Sequence, residues 1–210
     1  MTPYGFIDQH GDTKGYVYEI AKAFLNDADV DYEISLLPLK RLFKESGTGK
    51  INCSFLAGTQ KTKEIFRLIE PMGKDIIAGV LPKKGKIINQ YEDLAAFTIG
   101  VPLGVYVNER FDKDLTLNKT TTHDYAHSVK MLVAGRIDAI MGNIDSFRYF
   151  SAQSGYNPDD IFGDPHIFAS IPFWLVCNKD SPSEDIIDRL KASIQKLRDN
   201  GTFQSIIGKY

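Results

Sequence analysis

Apolar residues along this chain switch repeatedly between two spacings, and that alternation limits the folds it can adopt. Near the start, apolar residues recur with the i, i+3, i+4, i+7 spacing of one helix face, at Val17, Ile20, Ala21, Phe24 and Leu25. Short apolar runs of the kind found in buried strands follow at residues 51–56 and 97–101. Helical and strand patterns alternate in this way to the end of the chain. The sequence therefore predicts an α/β fold.

The same patterns give the predicted elements. The predicted strands cover residues 31–37, 51–56, 75–81, 97–101, 137–141 and 168–177. Gly15 opens the first helix, and residues 38–45 form a second, short one. Thr121 or Thr122 is the predicted N-cap of a helix that Gly135 stops.

The long C-terminal helix has the clearest start signal. Ser181, Pro182 and Glu184 are predicted as the N-cap, N1 and N3 positions of a capping box. Its buried stripe is predicted at Ile187, Leu190, Ile194 and Leu197. A final short helix is expected over residues 203–207.

Composition excludes several classes of function. Among the 210 residues, 25 are Lys or Arg and 27 are Asp or Glu, and the hydrophobic fraction is 43%. That apolar content is too high for a disordered chain, and a net charge of −2 gives no basic footprint for nucleic acid. No apolar run reaches the roughly 18–20 residues of a membrane span. Residues 1–6 lack the basic and apolar regions of a signal peptide, so any leader is expected to be absent from this chain.

No group of residues in the sequence forms a convincing catalytic set. Cys53 and Cys177 each lie in an apolar run and are interpreted as buried small hydrophobes, with a disulfide left open in case their strands adjoin. His123 and His127 are interpreted as a solvated or capping pair rather than metal ligands. The 47–50 segment is predicted to be a turn and not a phosphate loop. No cofactor, metal site or catalytic residue is predicted.

Several segments, taken in order, resemble one protein family. They are Pro-Tyr-Gly-Phe at 3–6, the Gly-led helix start at 15–20, Leu-Val-Ala-Gly-Arg-Ile-Asp-Ala at 132–139, and the C-terminal segments 197–203 and 207–210. Together they resemble the type II periplasmic solute-binding proteins of the polar amino-acid class. The resemblance spans almost the whole chain, and the order of the segments makes it specific.

The resemblance implies a two-lobe α/β fold with two strand crossovers as its hinge. Lobe 1 would comprise residues 1–75 and 166–210, and lobe 2 residues 76–165. The implied function is capture of a small polar solute, amino-acid-like or a small carboxylate, in an inter-lobe cleft that closes around it. The implied partner is an ABC permease, and the implied location is periplasmic or extracellular. The protein would be a monomer and not an enzyme. The alternatives are a ligand-sensing domain of a signalling system and, less favoured, a periplasmic enzyme on the same fold.

The chain is expected to depart from the family pattern in two respects, at its start and in the residues that contact the ligand. It begins at the aromatic loop, without the strand that normally precedes that loop. The family's carboxylate-binding Arg after the third strand has no counterpart in residues 58–64, and its ammonium-binding Asp is replaced by Asn143. These departures count against a standard α-amino acid as the ligand. Cations that could instead bind an anion are expected near this part of lobe 1: Arg41, Lys61, Lys63 and Arg67.

The residues expected to contact the ligand come from both lobes. Those of lobe 1 line the mouth of the site, follow the third strand or carry positive charge, and those of lobe 2 close over the ligand. They are Tyr4, Arg41, Leu56, Ala57, Thr59, Lys63, Tyr106 and Asn143.

Overall fold

A computed structural model describes residues 3–37, 39–46, 49–105 and 108–210. The strands of this part of the chain are β1 (Phe6–Ile7), β2 (Thr13–Lys14), β3 (Cys53–Ala57), β4 (Phe66–Pro82), β5 (Thr98–Pro102), β6 (Asn118–Thr122), β7 (Ala139–Asn143) and β8 (His166–Asn178). The helices are α1 (Tyr16–Asp27), α2 (Leu39–Ser46), α3 (Gln60–Ile65), α4 (Glu109–Lys113), α5 (Tyr125–Val133), α6 (Ile144–Gln153), α7 (Pro158–Ile161), α8 (Glu184–Asp199) and α9 (Thr202–Ile207). A 3₁₀ helix covers Tyr91–Ala96.

The chain divides into two compact units. The first comprises Met1–Asp75 and Ile171–Tyr210, and the second comprises Ile76–Ser170. Strands β4 and β8 each pass from one unit into the other, so the chain crosses between the units twice. Within the described ranges, none of the helices combines the length and the apolar character needed to traverse a lipid bilayer.

The first unit combines antiparallel strand pairs, among them the short β1–β2 pair, with three helices that pack together. Strand β3 pairs with the later part of β8, and Leu56, Phe66 and Val176 form a buried cluster there. Helix α1 packs its buried face against α8 and α9. The predicted stripe of α8 is confirmed, since all four of its residues are buried.

The second unit is a mixed sheet covered on both faces. Its strand order is β8-β4-β7-β5-β6, with β5 parallel to both β6 and β7 and with β7 antiparallel to β4. Successive strand residues point to opposite faces. Val80 and Met141 therefore belong to one apolar cluster, while Leu81 and Ile140 belong to the other, with α5 and α6. Every residue of β7 is buried, as expected of a central strand.

Three predictions of local structure are wrong. Residues 31–37 form no strand. Helix α8 begins at Glu184 with Ser183 as its N-cap, because the hydroxyl oxygen of Ser181 instead accepts a hydrogen bond from the Asn52 amide at 2.7 Å. Thr122 is not a cap either, since it ends β6 and its hydroxyl bonds that of Ser128 at 2.6 Å.

The interpretation of the two cysteines as separate buried hydrophobes is also wrong. In the β3–β8 ladder Cys53 lies directly opposite Cys177, and a disulfide joins them across 124 residues of sequence. The cross-link ties the strand that leads towards residues 57–59 to a strand that crosses between the units.

We expect the disulfide to stabilise the protein substantially. A cross-link that closes so long a loop restricts the unfolded chain, and losing a native disulfide costs about 2–5 kcal/mol. Urea unfolding of Cys53→Ser/Cys177→Ser should show a loss in this range. Dithiothreitol should destabilise the wild type and leave the double variant unchanged. Two titratable thiols in the denatured, unreduced protein would contradict the pairing.

Candidate functional site

The second unit brings the carboxyl ends of three strands to one edge. Because β5 runs parallel to β6 and β7, their last residues Pro102, Thr122 and Asn143 lie at the same end of the sheet. This edge, which we call the strand-end edge, is where open α/β sheets bind ligands. The amide of Leu103 donates to the Thr122 carbonyl at 2.9 Å and closes the turn after β5.

Asn143 is fixed at this edge through both its side chain and its backbone. Its side-chain oxygen caps α6 by accepting a hydrogen bond from the Ser146 amide at 2.9 Å. Its own amide donates to the Tyr125 hydroxyl at 3.3 Å. Only 4% of Asn143 is exposed. Burial raises the pKa of Tyr125, so this phenol stays protonated at neutral pH.

A second helix cap at the same edge is Asp124, which begins α5 and contacts both His123 and His127. One Asp124 carboxylate oxygen accepts the His127 amide at 2.7 Å, and the other lies 2.8 Å from Nδ1 of His123. The bond from the His127 backbone, followed by the contact with His123, holds the pKa of the Asp124 carboxyl below its ordinary value. The cap of α5 is Asp124 and not a histidine, and both histidines are exposed, which agrees with the solvated alternative. Among the described residues, no group of three or more His, Cys, Asp or Glu is placed to hold a metal ion.

In the first unit, the predicted contact residues 56, 57 and 59 are brought together where β3 turns into α3. The Thr59 hydroxyl caps α3 by accepting the Thr62 amide at 3.2 Å, and the Thr62 hydroxyl donates to the Ala57 carbonyl at 2.8 Å. Leu56 is buried beneath this turn, while Lys63 is exposed on the helix. Sequence reasoning missed Thr62, although its position three residues after Thr59 was a readable capping signal.

A close approach of the backbone to an indole ring shapes the same turn. The Gly58 amide donates to the Pro172 carbonyl at 2.9 Å. A Cβ at Gly58 would lie only 2.8 Å from Cδ1 of Trp174. The residue at this position must therefore be glycine for Trp174 to pack there.

Tyr4 belongs to the apolar interior of the first unit. It is 6% exposed, and its ring centroid lies 5.1 Å from that of Tyr16 and 5.6 Å from that of Phe173. Its carbonyl accepts the Val17 amide at 2.9 Å and so binds the first loop to the start of α1. Tyr4 and Tyr16 are therefore both core residues of this unit, and contact of Tyr4 with a ligand stays a prediction.

Arg41 and Arg67 both have carboxylate partners. Nε of Arg41 lies 2.5 Å from Glu45 one turn along α2, and 62% of the Arg41 side chain is exposed. Arg67 makes a two-pronged contact with Glu184, the first residue of α8. Tyr106 and the side chain of Lys61 lie outside the described residues, as does part of the 47–50 segment. The contact of Arg41, Lys63 and Asn143 with a ligand stays a prediction.

Solved structures that are similar to this chain include two-lobe periplasmic binding proteins. The arginine-, lysine-, histidine-binding protein ArtJ from Geobacillus stearothermophilus is 18% identical, with a TM-score of 0.72 over 100% of this chain and 90% of that one. The substrate-binding protein of an amino acid ABC transporter is 18% identical, with a TM-score of 0.69 over 100% and 94%. A histidine kinase sensor domain with similarity to periplasmic binding proteins is 17% identical, with a TM-score of 0.74 over 100% and 91%. This chain has the same two-lobe α/β fold.

Sequence comparison identifies the family. Residues 1–210 match the bacterial extracellular solute-binding proteins, family 3, and the chain belongs to that family. No protein with a curated description matches it. The protein is therefore a solute-binding protein with a small-molecule ligand, as the sequence resemblance implied.

Substitution of Gly58 should disturb the turn after β3. In Gly58→Ala the new methyl group forces Trp174 or the β3 backbone to move, which should cost about 1–3 kcal/mol of unfolding free energy. Trp174 is the one tryptophan of the sequence, so its fluorescence emission reports this displacement directly. The control is Gly208→Ala, whose Cβ would meet nothing closer than 3.4 Å. Identical emission and stability in Gly58→Ala and wild type would refute the packing argument.

The Asp124 cap predicts a dependence of stability on pH. Because folding lowers this pKa, ionised Asp124 stabilises the fold above the ordinary aspartate pKa of 3.8, and the contribution is lost as the pH falls through the lowered value. Asp124→Asn keeps an oxygen acceptor for the His127 amide and removes the titration. In urea unfolding from about pH 6 to about pH 3, its stability should fall less steeply than that of the wild type. Asp164→Asn, an exposed residue of the same unit, controls for net charge, and equal slopes in all three proteins would contradict the prediction.

Proposed function

We propose that the protein captures a small polar solute, amino-acid-like or a small carboxylate, outside the cytoplasm and delivers it to an ABC permease. The observation that carries the proposal is the family match over the full 210 residues. The names of two structural relatives, a binding protein for arginine, lysine and histidine and a component of an amino acid ABC transporter, agree with a ligand of this size and polarity.

The disulfide supports the proposed location. Disulfides form and persist in oxidising compartments such as the periplasm and the cell exterior, and they are rare in the cytosol. The Cys53–Cys177 bond joins both cysteines of the chain. A protein that folds with this bond is suited to the extracytoplasmic side of the membrane.

In the proposed mechanism each compact unit acts as one lobe and supplies part of the ligand contacts. The turn after β3 offers Ala57 and Thr59 from the first unit, with Leu56 beneath them. Tyr4, Arg41 and Lys63 are the further proposed contacts from this unit. The second unit offers Asn143 at the strand-end edge, and Tyr106 is a further proposed contact from the same part of the sequence. Binding would exclude water and strengthen these polar contacts without any covalent step. We therefore propose a monomeric binding protein without enzymatic activity.

The proposal is tested by a thermal-shift screen followed by titration calorimetry. The panel should contain arginine, lysine, histidine, neutral and acidic amino acids, small carboxylates, amines and short peptides. A solute at one hundred times its dissociation constant adds about 2.7 kcal/mol to the unfolding free energy. Stabilisation by none of these classes would overturn the proposal. Recovery of a bound solute chemically unchanged would support binding without turnover.

Asn143→Ala is the sharpest test of the proposed site. If the Asn143 side chain binds the solute, its removal should weaken binding by about 1–3 kcal/mol through lost buried hydrogen bonds. The lost helix cap should also lower the unfolding free energy by about 1 kcal/mol. Asn157→Ala is the matched control, because Asn157 caps α7 of the same unit by accepting the Asp159 amide at 3.2 Å. If both variants keep wild-type affinity for a solute found in the screen, Asn143 is not a ligand contact.

A sensing role is the second candidate, and the histidine kinase sensor domain with a TM-score of 0.74 favours it. Both roles require solute binding, so the screen does not separate them. Neighbouring genes for a permease and an ATPase would support uptake. Fusion or adjacency to a kinase or cyclase gene would support sensing.

A further inference from the structure

We propose that Tyr125 is a positioning residue for ligand binding, which sets the place of Asn143 at the strand-end edge. The inference rests on the proposed function, because it takes Asn143 as a ligand contact. Tyr125 is the first residue of α5 and Asn143 the last of β7, so sequence patterns alone give no reason to couple them.

The coupling begins with a hydrogen bond to the backbone. The Asn143 amide donates to the Tyr125 hydroxyl at 3.3 Å. That amide lies at the junction between β7 and α6, because Asn143 is both the last residue of the strand and the N-cap of the helix. The phenol therefore restrains the backbone at the point where the Asn143 side chain leaves the strand.

Glycine at position 142 makes this approach possible. A Cβ on Gly142 would come within 3.1 Å of the Tyr125 hydroxyl oxygen and 3.2 Å of both Cε1 of Tyr125 and Cε2 of Phe147. Gly142 also has a φ of 155°. The absent side chain thus leaves the space that the phenol occupies beside the end of β7.

The Tyr125 ring is itself held in place by two aromatic neighbours on α6. Its centroid lies 4.7 Å from that of Phe147 and 6.3 Å from that of Phe150, the second pair being nearly parallel at 20°. Both neighbours belong to the helix that Asn143 caps. From its place at the start of α5, Tyr125 therefore contacts both the end of β7 and the first turns of α6. Asn143 lies at the junction of these last two elements.

The test combines amide hydrogen exchange with a double-mutant cycle. Tyr125→Phe retains the ring and removes only the hydroxyl. We expect exchange at the Asn143 amide to accelerate by about fivefold or more. Tyr91→Phe is the matched control: it removes a phenol that bonds Asp114 at 3.0 Å in the same unit, and it should leave the Asn143 amide unchanged. Unchanged exchange at Asn143 in Tyr125→Phe would overturn the proposal.

Affinity supplies the second readout. The probes are L-arginine, L-lysine, L-histidine, L-glutamine, L-glutamate and succinate, and the measurement uses whichever of them binds the wild type. Tyr125→Phe should weaken binding by about fivefold in the wild-type background. In the Asn143→Ala background the same substitution should have less than about a twofold effect, because the side chain it positions is gone. An equal loss in both backgrounds would overturn the proposal.

The outcomes separate this inference from the function on which it rests. If none of the six probes binds, the proposed solute class fails, and the exchange measurement still decides whether Tyr125 holds Asn143. Gly142→Ala gives an independent check, since its methyl group should displace the phenol and accelerate the same amide. A normal Asn143 amide in both Gly142→Ala and Tyr125→Phe would also overturn the proposal.

Discussion

The second unit depends on the parallel pairing of β5 with its two neighbours. Parallel strands end at the same edge of a sheet, so the pairing alone brings together the residues that follow them. Two helices start at this edge, and each begins with a side-chain cap, Asp124 for α5 and Asn143 for α6. Polar groups of these residues thereby have partners inside the protein. The caps therefore fix the positions of the groups that are proposed to contact a solute from this unit.

The first unit holds its candidate contact residues in place by a different set of interactions. Its candidate contacts lie in the turn between β3 and α3, and turns are ordinarily the most mobile parts of a fold. Here the Thr59 and Thr62 hydroxyls bond within the turn, and Trp174 packs on Gly58. The disulfide between Cys53 and Cys177 adds a covalent tie to the strand below. Together these contacts restrain a backbone segment that is proposed to touch the ligand.

Much of the fold could be predicted because it rests on local patterns. The apolar stripe of α8 is one example, since a 3.6-residue period can be satisfied only by burying one helix face. The family resemblance was also readable, because its segments occur in order along the chain. The site was predicted only in outline. The departures at residues 58–64 and Asn143 were visible, but the partners of these residues were not.

Two of the wrong predictions share a physical cause, which is their dependence on residues that are distant in sequence. Ser181 has the sequence of a helix cap, yet Asn52 takes its hydroxyl oxygen and the helix begins later. Residues 31–37 alternate like a strand, but a strand requires a neighbour for its hydrogen bonds, and no ladder forms there. In both places the local sequence favours the predicted structure, but the hydrogen-bond partners present elsewhere in the fold decide which structure forms.

The sequence by itself determined the α/β class, the approximate elements and the family, because periodicity and ordered motifs are properties of the chain alone. Only the tertiary structure decided that Cys53 bonds Cys177, that Asp124 rather than a threonine caps α5, and that Tyr125 bonds the Asn143 amide. The cysteines and the Tyr125–Asn143 pair are brought together by strand register and helix placement across many residues of sequence. Thr122 does not cap α5, because it is the last residue of β6 and its hydroxyl bonds that of Ser128. Asp124 caps the helix instead.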